Sequence, residues 1–140
     1  MEVREVRTFN QKGSFPERRT PRAFFDALHA RYRFTLDGAA TARNALLPRF
    51  STARKPVPWA GERVFCNPPW SDVPRFVELA AGARLAVLLV PARANVRWFH
   101  RALELGARPE FFEGRLHFDE MESGSAVDCV LLVFRKGRRK

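Results

Sequence analysis

The sequence RVFCNPPWSD at residues 63–72 determines how the rest of the chain is interpreted. Its first four residues, 63–66, form a short apolar run that is typical of a buried strand, and residues 71–74 are typical of a helix start. The tetrapeptide between them, residues 67–70, is therefore predicted to lie in a loop at the carboxyl end of a strand. Because open α/β sheets bind ligands at that end of their strands, the sequence predicts a binding site here.

The tetrapeptide Asn67-Pro68-Pro69-Trp70 carries groups that suit a planar base with an exocyclic amine. Each proline fixes its φ at about −65° and lacks a backbone donor, so the loop is stiff and presents bare carbonyl groups. We expect the Asn67 side-chain oxygen and the Pro68 carbonyl oxygen to accept one N–H each, while Trp70 stacks on the ring. The alternative is an ordinary loop, because Pro-Pro-aromatic sequences also occur by chance.

Composition indicates one folded domain with a polyanionic partner. A chain of 140 residues can bury a single core, and 46% hydrophobic residues with 13 Phe and 3 Trp indicate that it does. A net charge of +10 and a pI of about 11.1 favour nucleic acid as the partner, although ribosomal and membrane-surface proteins share this charge.

The sequence predicts neither a membrane span nor a signal peptide. No apolar stretch approaches the length that crosses a bilayer, and the first residues lack an apolar segment, so we expect a cytoplasmic protein. Cys66 and Cys129 both lie in predicted strands and are interpreted as core residues. The three histidines are dispersed and lack nearby cysteine or acid ligands, so no metal site is predicted.

The chain before the tetrapeptide is predicted to contain an arm, a helix and a short strand. Residues 1–19 form a basic N-terminal arm, and Thr20 caps an amphipathic helix over residues 21–31 with Pro21 at its first position. A strand over residues 34–37 ends in a carboxylate, Asp37, which can bind a hydroxyl or an ammonium group. The small residues at 38–40 then let the backbone approach a ligand closely, and residues 41–62 are predicted to form a loop.

The chain after the tetrapeptide predicts alternating helices and strands. Helices are expected over residues 74–81 and 96–105, the second capped by Asn95, and a buried strand over 85–90. Short strands are expected over 110–112 and 115–118 and a strongly apolar strand over 126–134, the last two as an antiparallel pair, before a basic tail at 136–140. The predicted fold is α/β, with a mostly parallel sheet of five or six strands and a C-terminal antiparallel pair.

Taken together, these segments resemble the small phage-type DNA N6-adenine methyltransferases, the phage Dam-like family, over residues 18–135. The resemblance rests on the Thr20-Pro21 helix opening, LDGAA at 36–40 with Asn44 after it, NPPWS at 67–71, LLVPAR at 88–93 with WFH at 98–100, GRLHF at 114–118, and Ser125 before the last strand. Each motif alone is unspecific, but six in this order are specific.

The resemblance implies a minimal Rossmann-like fold that transfers a methyl group from S-adenosyl-L-methionine to N6 of adenine in duplex DNA. By this resemblance, Asn67, Pro68, Pro69 and Trp70 form the catalytic loop, into which the target base is flipped. The residues implied for the cofactor are Thr20, Pro21, Asp37, Gly38, Ala39, Ala40 and Asn67. The methyltransferase domain is expected to span residues 20–135 of a phage- or prophage-encoded protein in a bacterial cytoplasm, as a monomer or weak dimer.

Charge and position suggest which residues hold the nucleic acid. The expected contacts are Trp70, Arg93, Arg97, His100, Arg115, Arg138 and Arg139.

Two other interpretations of the chain stay open. It is either a catalytically inactive nucleic-acid-binding relative, or a methyltransferase that acts on RNA adenine or on protein glutamine. Binding of S-adenosylmethionine separates the inactive relative from the enzyme.

Overall fold

The computed structural model of the chain describes residues 20–113, 116–117 and 126–136. Its helices are α1 (Arg22–Tyr32), α2 (Val73–Ala81) and α3 (Arg97–Glu104), with a short 3-10 turn at Trp70–Asp72 before α2. Its strands are β1 (Leu36–Asp37), β2 (Arg63–Cys66), β3 (Leu85–Pro91), β4 (Arg108–Glu110), β5 (Leu116–His117), β6 (Ala126–Val127) and β7 (Cys129–Arg135). In the described part of the chain, no helix is long and apolar enough to cross a membrane.

The main sheet has five strands in the order β1-β2-β3-β7-β4. The pairs β1–β2 and β2–β3 are parallel, whereas β7 is antiparallel to both β3 and β4. Four of the five strands therefore point the same way, with β7 alone reversed. The predicted α/β class and strand number are confirmed, but the sheet is partly rather than mostly parallel by pairing. The antiparallel pair predicted near the C-terminus is the small second sheet, β5–β6.

Helices cover both faces of the main sheet. Helix α1 packs Phe24, Phe25 and Leu28 on one face, and α2 and α3 pack on the other. Strand β3 is buried along its whole length because helices lie on both sides of it. Trp59, from the loop before β2, is buried in the core on the α2 side.

Both predicted helix caps are wrong, although the helices themselves are confirmed. Helix α1 begins one residue later than expected, with Pro21 at the capping position and no side-chain cap, because the Thr20 hydroxyl bonds elsewhere. Helix α3 likewise starts after Val96, not Asn95, and no side chain caps it. Gly106 follows the end of α3 with a positive φ of 94°, a conformation that favours glycine.

Three strand predictions differ from the observed bounds. The first strand is limited to β1, and the one expected at 110–112 lies two residues earlier, as β4, where it pairs with β7. The strand expected over 126–134 is broken at Asp128, because β6 pairs with β5 while β7 joins the main sheet. The basic arm at 1–19 and tail residues 137–140 lie outside the described residues.

The loop over residues 38–62 protects the outer edge of β1. Asp37 N donates to Arg49 O at 3.0 Å, and Ser51 N donates to Asp37 O at 3.0 Å, which makes a parallel bridge between Asp37 and Phe50. An exposed strand edge would leave backbone groups without partners. The predicted loop is therefore confirmed, and it extends the sheet by one bridge beside the predicted site.

Candidate active site at the carboxyl edge of the sheet

The ends of the parallel strands form what we call the carboxyl edge: Asp37 ending β1, Asn67 following β2 and Pro91 ending β3. The sequence places the tetrapeptide correctly here, since residues 67–69 link β2 to the 3-10 turn before α2. Pro69 O accepts a hydrogen bond from Asp72 N at 2.9 Å, which starts that turn. Within the described part of the chain, no backbone N–H reaches the Pro68 carbonyl.

The Asn67 amide is held from one side only. Its Nδ2 donates to Thr20 Oγ1 at 3.2 Å, across 47 residues of sequence. Its Oδ1 is buried and has no hydrogen-bond partner among the described residues. A buried polar atom without a partner costs about 1–3 kcal/mol, so such atoms are rare in folded proteins. Those that do occur are often found at functional sites. The bond at Nδ2 therefore fixes Oδ1 as a free hydrogen-bond acceptor among the described residues.

Asp37 is buried, with 3% of its surface exposed, and its carboxylate is tied to the following loop. Leu46 N donates to Oδ2 at 3.0 Å and Ala39 N donates to Oδ1 at 3.5 Å. Burial raises the pKa of the Asp37 carboxyl above its ordinary value of 3.8, while these two backbone N–H groups lower it. Cys66 is also buried, and its burial, together with the negative charge of Asp37, raises the pKa of the Cys66 thiol well above its ordinary range.

Two adjoining cavities open at the carboxyl edge. The inner one, of about 30 Å³, is lined by Thr20, Asp37, Ala39, Asn44, Leu46, Phe65 and Asn67. The outer one, of about 230 Å³, is lined by Ala39, Ala40, Thr41, Asn44, Ala53, Asn67, Pro68 and Pro69. Ala39, Asn44 and Asn67 line both cavities, so the two cavities are neighbours. The structure thus brings together some of the predicted residues, from three separate segments of the chain.

The small residues after β1 divide between core and site. A β-carbon on Gly38 would lie 2.5 Å from Trp59 Cζ2 and 3.0 Å from Val64 Cγ1, so this glycine permits close packing against the core. Gly38 lines neither cavity, and neither does Pro21. Ala39 and Ala40 do line the site, where their short side chains keep the outer cavity open.

Trp70 lies at the border of the site. Its side chain is half-buried and packs against the core cluster on the α1 face. Trp70 lines neither cavity among the described residues. Its predicted stacking on a base therefore stays a prediction.

The residues predicted to bind nucleic acid are only partly described. Arg93 is exposed just beyond the end of β3. Arg97 pairs with Glu104 at 3.3 Å, and His100 Nε2 lies 2.8 Å from Ala94 O. All three follow the end of β3 in the sequence. Arg97 and His100 already have partners within the chain. Three further predicted contacts, Arg115, Arg138 and Arg139, lie outside the described residues.

Sequence reasoning missed several residues that line the site. Asn44 Oδ1 accepts from Thr41 N at 2.8 Å, and this turn places Asn44 beside both cavities. Leu46 and Phe65 close the inner cavity. The spacing Thr-x-x-Asn is a turn signal that pointed to a fixed loop at residues 41–44. No local signal identifies Leu46, since its contact with Asp37 depends on how the loop folds back.

The described residues bring no three His, Cys, Asp or Glu side chains together as a metal site. A family model described as DNA N-6-adenine-methyltransferase (Dam) matches residues 12–137. No curated protein and no solved structure matches the chain. The matched family implies methylation of DNA at adenine N6, with S-adenosylmethionine as the methyl donor.

Proposed function

Because the chain belongs to the DNA N-6-adenine-methyltransferase (Dam) family, we propose that it methylates adenine N6 in duplex DNA at the Asn67–Trp70 loop. In this proposal the target base is flipped out of the helix, since N6 is otherwise inside the duplex. The domain responsible spans residues 20–135.

The observation that carries the proposal is the buried Asn67 Oδ1, which has no donor among the described residues. It adjoins both cavities at the strand end, and its orientation is fixed by the bond to Thr20. An adenine amino group offers two N–H donors, and Asn67 Oδ1 with the Pro68 carbonyl offers two acceptors. The ligand therefore supplies what the protein atoms lack.

The two acceptors also explain how such a site favours the reaction. The N6 lone pair is delocalised into the ring, so N6 is a weak nucleophile until its two N–H bonds are drawn out of the ring plane. Asn67 Oδ1 and Pro68 O are fixed dipoles that stabilise positive charge as it develops on N6. The proline-stiffened loop holds them in place, so little reorganisation is needed during transfer.

The site fits S-adenosylmethionine in chemistry, and bound cofactor supplies an activated methyl group on a sulfonium. The outer cavity is lined by Ala39, Ala40 and Ala53, whose short side chains leave room for a ligand. Asp37 adds a buried carboxylate at the inner cavity that can accept from an ammonium or a hydroxyl group. Thr20 borders the same inner cavity.

Transfer of labelled methyl from S-adenosylmethionine to unmethylated duplex DNA, followed by nucleoside digestion, tests the proposal. We expect labelled N6-methyladenine. Label in RNA or glutamine alone would contradict the proposed substrate. DNA binding without either cofactor binding or transfer would identify the chain as an inactive relative.

A further inference from the structure

Five positive charges meet at the opposite side of the main sheet, where the parallel strands begin. We call this side the arginine edge, and its members are Arg33, Arg63, Arg84, Arg135 and Lys136. They come from the end of α1, the start of β2, the turn before β3 and the end of β7. Strand pairing fixes this arrangement, since Leu85 pairs with Arg63 on one side and with Arg135 on the other.

Backbone hydrogen bonds hold these segments together. Lys136 N donates to Arg84 O at 3.0 Å, which ties the end of β7 to the turn before β3. The Arg63 guanidinium donates to Tyr32 O at 2.9 Å and to Arg33 O at 3.2 Å, so it also caps the end of α1. The charges are therefore fixed by the fold and are not brought together by flexible side chains alone.

The described residues supply no carboxylate to neutralise this edge. Glu62 is the adjacent acid, but its carboxylate is bonded to Arg49 at 2.6 Å and to Thr35 Oγ1 at 2.8 Å. Arg33, Arg84 and Arg135 have no ion pair within the described part of the chain. Partial burial lowers the pKa of Arg63, and repulsion from Arg84, Arg135 and Arg33 lowers it further.

Arg33 adds a second, independent observation. It is the C-terminal cap of α1 and has φ 51°, the only non-glycine residue with a positive φ among those described. This left-handed position favours glycine, so a side chain there carries a backbone cost. The backbone is therefore strained at the residue whose side chain adds its charge to the arginine edge.

We propose that the arginine edge binds the phosphate backbone of a second DNA segment, separate from the segment at the carboxyl edge. Arginine matches phosphate oxygens with two parallel N–H donors, and closely spaced phosphates would relieve repulsion among several arginines at once. Strand β3 has seven residues and spans about 20 Å, and it separates the arginine edge from the carboxyl edge along the strand direction. The choice of DNA as the polyanion rests on the proposed function.

The test compares the full chain with a triple variant, Arg33→Gly, Arg84→Gln and Arg135→Gln. Arg33→Gly removes a charge and relieves the strained φ, and Arg63 is left intact because it caps α1. Arg101→Gln is the control for single Arg84→Gln, because Arg101, on α3, is also partly exposed but pairs with Glu78 of α2. The probe is a duplex of about 12 base pairs, and its binding stoichiometry and salt dependence are measured.

We expect the native chain to bind two duplexes and the triple variant to bind one. The slope of log affinity against log salt should fall by about 0.9 for Arg84→Gln and up to about 3 for the triple variant, with no change for Arg101→Gln. Asn67→Ala should still bind two duplexes, so failure of methyl transfer and failure of this inference are distinguishable. Unchanged stoichiometry and slope in a folded triple variant would overturn the inference. So would loss of anionic vesicle binding with DNA binding intact.

Discussion

The carboxyl edge and the arginine edge lie at opposite ends of the parallel strands and differ in which polar groups lack a partner. The carboxyl edge holds a neutral acceptor, Asn67 Oδ1, that lacks a donor among the described residues. The amino-terminal side holds cations, Arg33, Arg84 and Arg135, that lack carboxylates there. A buried, oriented dipole suits one small group in one geometry, whereas exposed like charges suit an extended polyanion. From this comparison we predict that chemistry and DNA retention are separate functions of opposite edges.

The largest effect should come from Asn67→Ala, which removes the acceptor at the carboxyl edge. We expect methyl transfer at saturating DNA to fall by about 10²–10³-fold, as for loss of one preorganised polar group in other active sites. Duplex affinity should stay near the native value, because the charged edge is untouched. Asn95→Ala, in the exposed loop after β3, is the matched control and should keep native turnover. Full activity in Asn67→Ala would refute the site.

Gly38→Ala should separate core packing from chemistry below the carboxyl edge. The new methyl group would lie 2.5 Å from the Trp59 ring, so we expect a loss of about 1–3 kcal/mol in the free energy of unfolding. Gly82→Ala is the control, since its nearest neighbour, Leu79 O, is 3.6 Å away. Thermal or urea unfolding measures both. Equal stability in the two variants would contradict the close packing described here.

Thr20→Val tests whether Thr20 positions the Asn67 amide or contacts the cofactor. Loss of the 3.2 Å bond leaves the amide free to turn, so we expect kcat to fall by roughly tenfold with KM for S-adenosylmethionine little changed. Thr20→Ser keeps the hydroxyl and should restore kcat. A rise in KM with kcat unchanged would instead make Thr20 a cofactor residue.

Asp37 predicts a pH dependence of cofactor binding. Burial raises its pKa above 3.8, and a bound ammonium or hydroxyl favours the ionised form. Affinity for S-adenosylmethionine should therefore be constant at neutral pH and decrease, by at most about tenfold per pH unit, as pH falls through that pKa. The free protein should show the opposite sign: ionising buried Asp37 costs stability as pH rises through the same range. Calorimetric titration checks the first trend, and Asp37→Asn should flatten it.

The smallest effect concerns the opposite edge. Arg33→Gly should increase the free energy of unfolding by about 0.5–1 kcal/mol, because glycine adopts φ 51° without strain. The same variant should weaken duplex binding. Urea unfolding and a binding titration on one sample measure both changes. Lower stability would show that Arg33 contributes a contact that outweighs its backbone cost.

Local patterns in the sequence predicted the parts of the fold that depend on neighbouring residues. The apolar run before Asn67 and the helix signals after it gave the strand, loop and helix at almost their observed bounds. Residue type at the strand end also identified Asp37, which lines the inner cavity.

What the sequence did not predict depends on contacts between distant segments. The Thr20 hydroxyl looked like a helix cap, but its partner is Asn67, which only the folded sheet brings within 3.2 Å. The reversed strand β7 joins the sheet between β3 and β4, which strand order along the chain does not reveal. The arginine edge was missed because its charges are far apart in sequence and converge through strand register.

The most direct measurement of this division is turnover at saturating DNA together with the salt slope of binding, in Asn67→Ala and in the triple arginine variant. We predict that Asn67→Ala loses transfer with a native slope, and that the arginine variant keeps native kcat with a reduced slope. If both variants lose turnover and slope together, the two edges serve one shared site and the account is wrong.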